Sequence, residues 1–209
     1  MKPASIPVCE REKGFSTWLL DGLLPCAVRA GRIISKIFDL FAFPEIMDLI
    51  WQKVKLNTRT LTPIEKREAL SVFGDSINYS KVLIDEYSII AWLGAKINRC
   101  SGMGVTTFHT INFNQKVRIA AGSSDMKWLI HELTHIAQME YAGSQYLVEA
   151  FHAQVTDGYG YTLGSKPHLC DYNREQQASI VEDYYIKCIL GASTAAYDSY
   201  IAELRAGKL

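Results

Sequence analysis

Ser124-Asp125-Met126-Lys127-Trp128-Leu129-Ile130-His131-Glu132-Leu133-Thr134-His135-Ile136-Ala137-Gln138 is the stretch on which the fold turns. Met126, Leu129, Ile130, Leu133 and Ala137 recur at three- and four-residue intervals, the spacing of one buried helical face. Ser124 is expected as the N-cap, with Asp125 at the positive end of the helix dipole. Inside this helix His131-Glu132-Leu133-Thr134-His135 has the form H-E-x-x-H. Histidines four apart share a face one turn from each other, so both imidazoles can reach a single ion, and Glu132 stands beside the first of them as a candidate general base. The competing reading, two ordinary histidines on a core helix, must explain why two of the chain's five histidines fall at this spacing around a glutamate.

A catalytic zinc takes three protein ligands as a rule, so a third is expected elsewhere. Glu175 and Glu182 lie seven apart on a helix expected from about Arg174 to Leu190, sharing a face with the small Ala178, which allows close approach to the histidine helix. Glu175 is favoured because it lies in the first turn, nearer the loop that would open onto the site. Glu182 or Asp183 would then accept a histidine N–H. His152 and His168 are rival ligands, each more often a hydrogen-bonded structural histidine. Tyr159, Tyr161, His152 and His168 lie between the two metal helices, where a donor to a developing oxyanion can sit; packing is the ordinary role of such tyrosines.

Working outward, Thr62-Pro63-Ile64-Glu65 has the form of a capping box opening a helix to about Phe73, which Gly74 would close. Lys81 to Asp85 and Tyr87 to Ala91 read as strands, and Arg99 to Gly104 as a turn. Val105 to Phe113 and Lys116 to Ala120 read as a strand pair separated near Asn114-Gln115, and the part from Thr106 to Phe113 is placed to pair with an extended peptide. Gly158 to Asp171 reads as a loop, and Tyr197, Tyr200, Ile201 and Leu204 mark a last amphipathic helix. Toward the N-terminus, Ile33, Ile34, Ile37, Phe38 and Phe41, then Ile46, Leu49 and Ile50, suggest two amphipathic helices meeting at Pro44. Such stripes ordinarily pack on the domain; docking to a partner or a membrane surface is the alternative. The expected division is a helical extension over residues 1–58 and a catalytic domain over 59–209.

With 209 residues, 48% apolar and 21% charged, the chain can bury a substantial core. Its 22 basic and 22 acidic side chains cancel, and no dense Lys/Arg stripe suggests a nucleic-acid ligand. Five scattered cysteines, without a C-x-x-C pair, read as reduced thiols. Charges at residues 10–13 and at Asp21 interrupt any signal peptide, and Ile33 to Trp51 is broken by Lys36, Asp39, Pro44, Glu45 and Asp48. The expectation is synthesis in the cytoplasm with no transmembrane segment.

Several runs together resemble a known family: Leu61-Thr62-Pro63, Val72 through Val82, Thr107 through Phe113, His131 through Gln138, and Tyr172 through Ala178 followed by Ile180 through Tyr185. In this order, over roughly residues 60 to 190, they are similar to the zincin-like metallopeptidase domain associated with type VI secretion spike (VgrG) proteins and contractile injection systems. The resemblance implies an α+β zincin-like fold, mostly helical with a small sheet, in which the HExxH helix packs against a glutamate-bearing helix. It implies bound Zn²⁺, supports Glu175 as third ligand, and implies a bacterial effector toxin exported by an injection machine. A peptide or protein substrate, an immunity protein and a secretion-spike protein would be its partners. Residues 1–58 fall outside the resemblance. Two other readings stand beside it: a non-catalytic zinc-binding effector or adaptor, which has no need of Glu132, and a membrane-acting toxin working through the N-terminal helices.

Overall fold

The computed structural model describes residues 17–41, 46, 50 and 57–209, with side chains from residue 24 onward. The first helix, α1, spans Thr17–Leu40. The expected break at Pro44 lies outside the described residues, as does Leu49 of the second N-terminal stripe.

A four-stranded sheet has the order β1-β2-β4-β3, with β1 Thr58–Thr60, β2 Leu83–Glu86, β3 Gly104–Thr107 and β4 Thr110–Phe113. β2 and β4 run parallel while β1 and β3 are antiparallel edges. Between β1 and β2 lies α2, Pro63–Phe73, opened by the capping box at Thr62 and Glu65. Arg59 donates two hydrogen bonds of 2.8 Å to the buried Glu65, tying β1 to the start of α2. Helix α3, Ile89–Asn98, makes the crossover from β2 toward β3.

Three strand expectations need correction. Tyr87 to Ala91 does not extend a sheet, because Tyr87 turns at φ 60° and the chain winds into α3, burying Ala91 and Ala95 one turn apart. A short apolar run of this kind has no period that separates strand from helix. The long strand from Val105 to Phe113 is instead a hairpin folded at Phe108-His109, with Thr107 opposite Thr110 and Phe108 at φ 54°. Lys116 to Ala120, expected as its partner strand, carries no regular structure.

Helix α4, Ser124–Ala142, is capped by Ser123, one residue earlier than expected, whose hydroxyl accepts the Met126 N–H. It ends at Gly143, φ 67°, and α5, Gln145–Val155, follows at once. Asn173 caps α6, Arg174–Ile189, and the chain finishes with α7, Asp198–Arg205. The core lies between sheet and helices: Ile84, Ile111 and Phe113 meet Leu129, Ile130 and Leu133 of α4, with Ile180 and Val181 of α6 and Leu204 of α7 sealing it. Helices α4 and α6 pack closely together, with Ala178 fully buried.

Candidate metal centre

From α4, His131 and His135 present their rings 5.2 Å apart, and α6 brings the buried Glu175 carboxylate against both. Glu175 Oε2 lies 3.3 Å from His131 Nε2 and 3.4 Å from His135 Nε2. One ligand atom from each residue falls within 4.8 Å of the others.

Each imidazole is held through its other nitrogen. His131 Nδ1 is 3.0 Å from Glu182 Oε2, and Lys127 Nζ holds that carboxylate's second oxygen at 2.8 Å. His135 Nδ1 donates to Gln138 Oε1 at 2.8 Å; the Gln138 amide in turn donates to the Arg174 carbonyl and to Gln177 Oε1, both at 2.9 Å. These bonds direct both Nε2 lone pairs at Glu175, the orientation a metal-ligating histidine needs. Gln154 of α5 donates to Glu175 Oε1 at 2.9 Å, leaving Oε2 facing the histidines. The buried N₂O donor set with fixed tautomers therefore fits a divalent cation.

Without a cation the cluster binds protons. Burial opposes a charge on His131, but hydrogen bonds to Glu175 and Glu182 outweigh it and push its pKa up to about 10. Burial likewise opposes the His135 cation, and the Glu175 carboxylate overcomes it and raises the pKa. Desolvation works against a charged Glu175, yet His135 and His131 hold its pKa well below the usual carboxylate range.

Glu132 sits in the same cleft, of about 210 Å³. The Thr106 hydroxyl donates to Glu132 Oε2 at 2.8 Å. Gly104 makes room for the other oxygen, since a Cβ there would collide with Glu132 Oε1 and approach Trp128 Nε1 to 2.8 Å. Residues Met103 to Thr106 of the β3 edge form one wall of the cleft and α5 the other. Tyr146 of α5 stacks on His135 and donates its hydroxyl to the Thr106 carbonyl at 2.8 Å.

Of the expected oxyanion donors, Tyr159 lines the cleft, its ring 5.8 Å from that of His131. Tyr161 is turned away to Asp183, so Asp183 serves that tyrosine and not a histidine. His168 is exposed and pairs with Glu203 at 2.8 Å, and His152 lines a separate depression beside Cys170. Neither belongs to the cluster. Sequence reasoning overlooked Thr106, Gln138 and Gln154. Only Gln138 carried a local signal, standing three residues after His135 on the same helical face.

Two histidines from one helix and a glutamate from the next, beside a sheet edge in an α+β fold, define a candidate metal-binding cleft protein. Comparison with known proteins narrows this. The solved effector domain of Pseudomonas aeruginosa VgrG2b shares 30% identity and superposes with a TM-score of 0.55, over 70% of this chain and 83% of that one. The type VI secretion system spike protein VgrG2b of the same organism is 33% identical over 138 residues, 62% of this chain. This chain belongs to the family of the VgrG2b effector domain. It spans 13% of the length of the whole spike protein, and no protein-family profile matches it.

Proposed function

We propose that the chain is a zinc-dependent peptidase acting as a type VI secretion effector, with His131, His135 and Glu175 as metal ligands and Glu132 as general base. The observation that carries this reading is the convergence of the three buried donor residues with Glu132 in one cleft. The N₂O set with an adjoining glutamate suits zinc in a hydrolytic site. Zinc bound there supplies Lewis acidity, polarising a scissile carbonyl and acidifying a water toward ~7.

The chain's own residues supply the rest. Glu132, aimed by the Thr106 hydroxyl, takes the proton of the attacking water and passes it to the leaving nitrogen. Tyr159, which lines the cleft with its ring 5.8 Å from that of His131, is the candidate donor to the developing oxyanion. β3, as the sheet edge along the cleft, offers backbone groups to an extended peptide. Kinship with the VgrG2b effector domain supports export by a type VI secretion system, and a protein or peptide target in another cell completes the reading.

Metal content by mass spectrometry tests the reading, with toxicity scored for the same variants. Wild type should bind about one zinc, Glu175→Ala should lose it, and Glu132→Ala should keep it while losing toxicity. A zinc-free wild type, or a fully toxic Glu132→Ala, would falsify the peptidase assignment. The intact Glu132 in the cleft favours catalysis over a purely structural zinc site, which has no use for a general base.

A further inference from the structure

Helix α1 is docked by a mixed face, apolar at Leu24 and Val28 and small or polar at Gly31, Ser35 and Asp39. Its less exposed positions, Leu24, Val28, Gly31, Ser35 and Asp39, recur every three or four residues. Gly31 packs on α5 so closely that a Cβ would lie 3.0 Å from Val148. The Ser35 carbonyl accepts the Ser144 hydroxyl at 3.2 Å, the Asp39 carboxylate accepts the Ser144 N–H at 3.0 Å, and Arg32 pairs with Glu149 of α5 at 3.1 Å.

From Ile33 onward the large apolar side chains point the other way. Leu40 is 80% exposed, Phe41 71% and Ile33 62%, with Ile34 and Ile37 about half exposed. They fill roughly 120° of the helical wheel. Arg29, Arg32 and Lys36, all exposed, run along one flank of this sector. Asp39, the one acidic residue of α1 whose side chain is described, faces inward. Outwardly, then, the described part of α1 offers a broad apolar face edged by cations.

We propose that α1 is a peripheral membrane-binding helix that lays this face into the headgroup–acyl boundary of an anionic bilayer. Basic side chains beside a wide apolar sector are what such a surface recognises: the apolar residues enter the boundary while Arg29 and Lys36 reach the lipid phosphates. A second copy fits less well, because a two-helix seam uses a narrower stripe and would bring like charges together. No helix among the described residues is long and apolar enough to cross a membrane, so α1 lies on the bilayer. Because α5 packs on the face of α1 turned from the lipid, the cleft would stand about one helix diameter, ~10 Å, from the surface.

Co-sedimentation of the full chain with vesicles tests this, using phosphatidylcholine alone or with phosphatidylglycerol. Wild type should partition onto the anionic vesicles at least about tenfold better than onto the neutral ones. Arg29→Glu with Lys36→Glu should reduce binding by about tenfold or more, and Ile37→Asp with Phe41→Asp should abolish it. All four positions are exposed, so thermal melts should match wild type; if the aspartate pair melts early, Ile37→Ser with Phe41→Ser replaces it. Glu132→Ala should bind vesicles normally, which separates this result from the peptidase assignment. A wild type that stays in the supernatant, or substituted chains that sediment as wild type does, would overturn the proposal. So would a dimer seen by light scattering that Ile37→Asp with Phe41→Asp dissolves without any vesicle binding, since a second copy would then cover the face.

Discussion

Replacing Gln138 with methionine isolates the part this residue plays in holding the metal centre. Gln138 is fully buried, and methionine keeps its length while removing every hydrogen bond. His135 Nδ1–H then loses its 2.8 Å acceptor, and the Arg174 carbonyl loses its 2.9 Å donor. Each buried group left unsatisfied costs about 1–3 kcal/mol, so the metal-free protein should lose about 2–6 kcal/mol, or roughly 4–24 °C in Tm for a chain of this size. Freed of its partner, the imidazole can rotate or change tautomer, which typically weakens metal binding by about 10- to 100-fold. Zinc affinity is measured by competition with a chromophoric chelator, and stability by thermal denaturation without metal. Gln138→Glu retains an acceptor for His135 but no donor for Arg174, so it should recover most of the affinity and little of the stability. If Gln138→Met binds zinc as tightly as wild type, the argument that this bond orients His135 is wrong.

Four further outcomes rest on the same geometry. In the metal-free protein His131 is raised from the ordinary value near 6.5 to about 10, so its stabilising contribution is complete below pH ~6.5 and fades as pH rises through about 10. Thermal melts of the metal-free chain should therefore weaken from pH 7 to 10, and zinc uptake at pH 7 should release at least about one proton, read by calorimetry in buffers of different ionisation enthalpy. Gly104→Ala should bind zinc normally yet lose about tenfold or more in toxicity or peptidase rate, because the new methyl displaces Glu132. Thr106→Val removes a charge-assisted hydrogen bond of about 1.5 kcal/mol at nearly constant shape; zinc content should hold while the rate falls about tenfold.

What was legible in the sequence was local. The stripe of Met126, Leu129, Ile130 and Leu133 placed α4, and the spacing of Glu175, Ala178 and Glu182 placed one face of α6 against it, since helical period alone sets both. The capping box at Thr62 was likewise readable, because its partners are three residues apart. Hidden features depended on distance or on ambiguous patterns. Phe108 takes a left-handed turn without glycine or asparagine to announce it, so two strands read as one. Helix α5 received no assignment, although it forms a wall of the cleft and carries Gln154 to Glu175 across 21 positions. Thr106 reaches Glu132 from 26 positions away, and no spacing rule covers such a pair.

The Tyr146 hydroxyl on the Thr106 carbonyl also finishes the free margin of the sheet. Met103 and Asn114 share hydrogen bonds, so in the alternating antiparallel pattern Val105 turns its backbone toward β4 while Gly104 and Thr106 turn theirs outward. One of those outward carbonyls is already taken by Tyr146. An incoming chain can form a full pair of backbone bonds at Gly104, but at Thr106 it must share the carbonyl with the tyrosine or displace it. The margin next to the metal centre thus resists runaway zippering of one molecule onto another, the usual hazard of an open strand, while keeping a single backbone foothold beside Glu132.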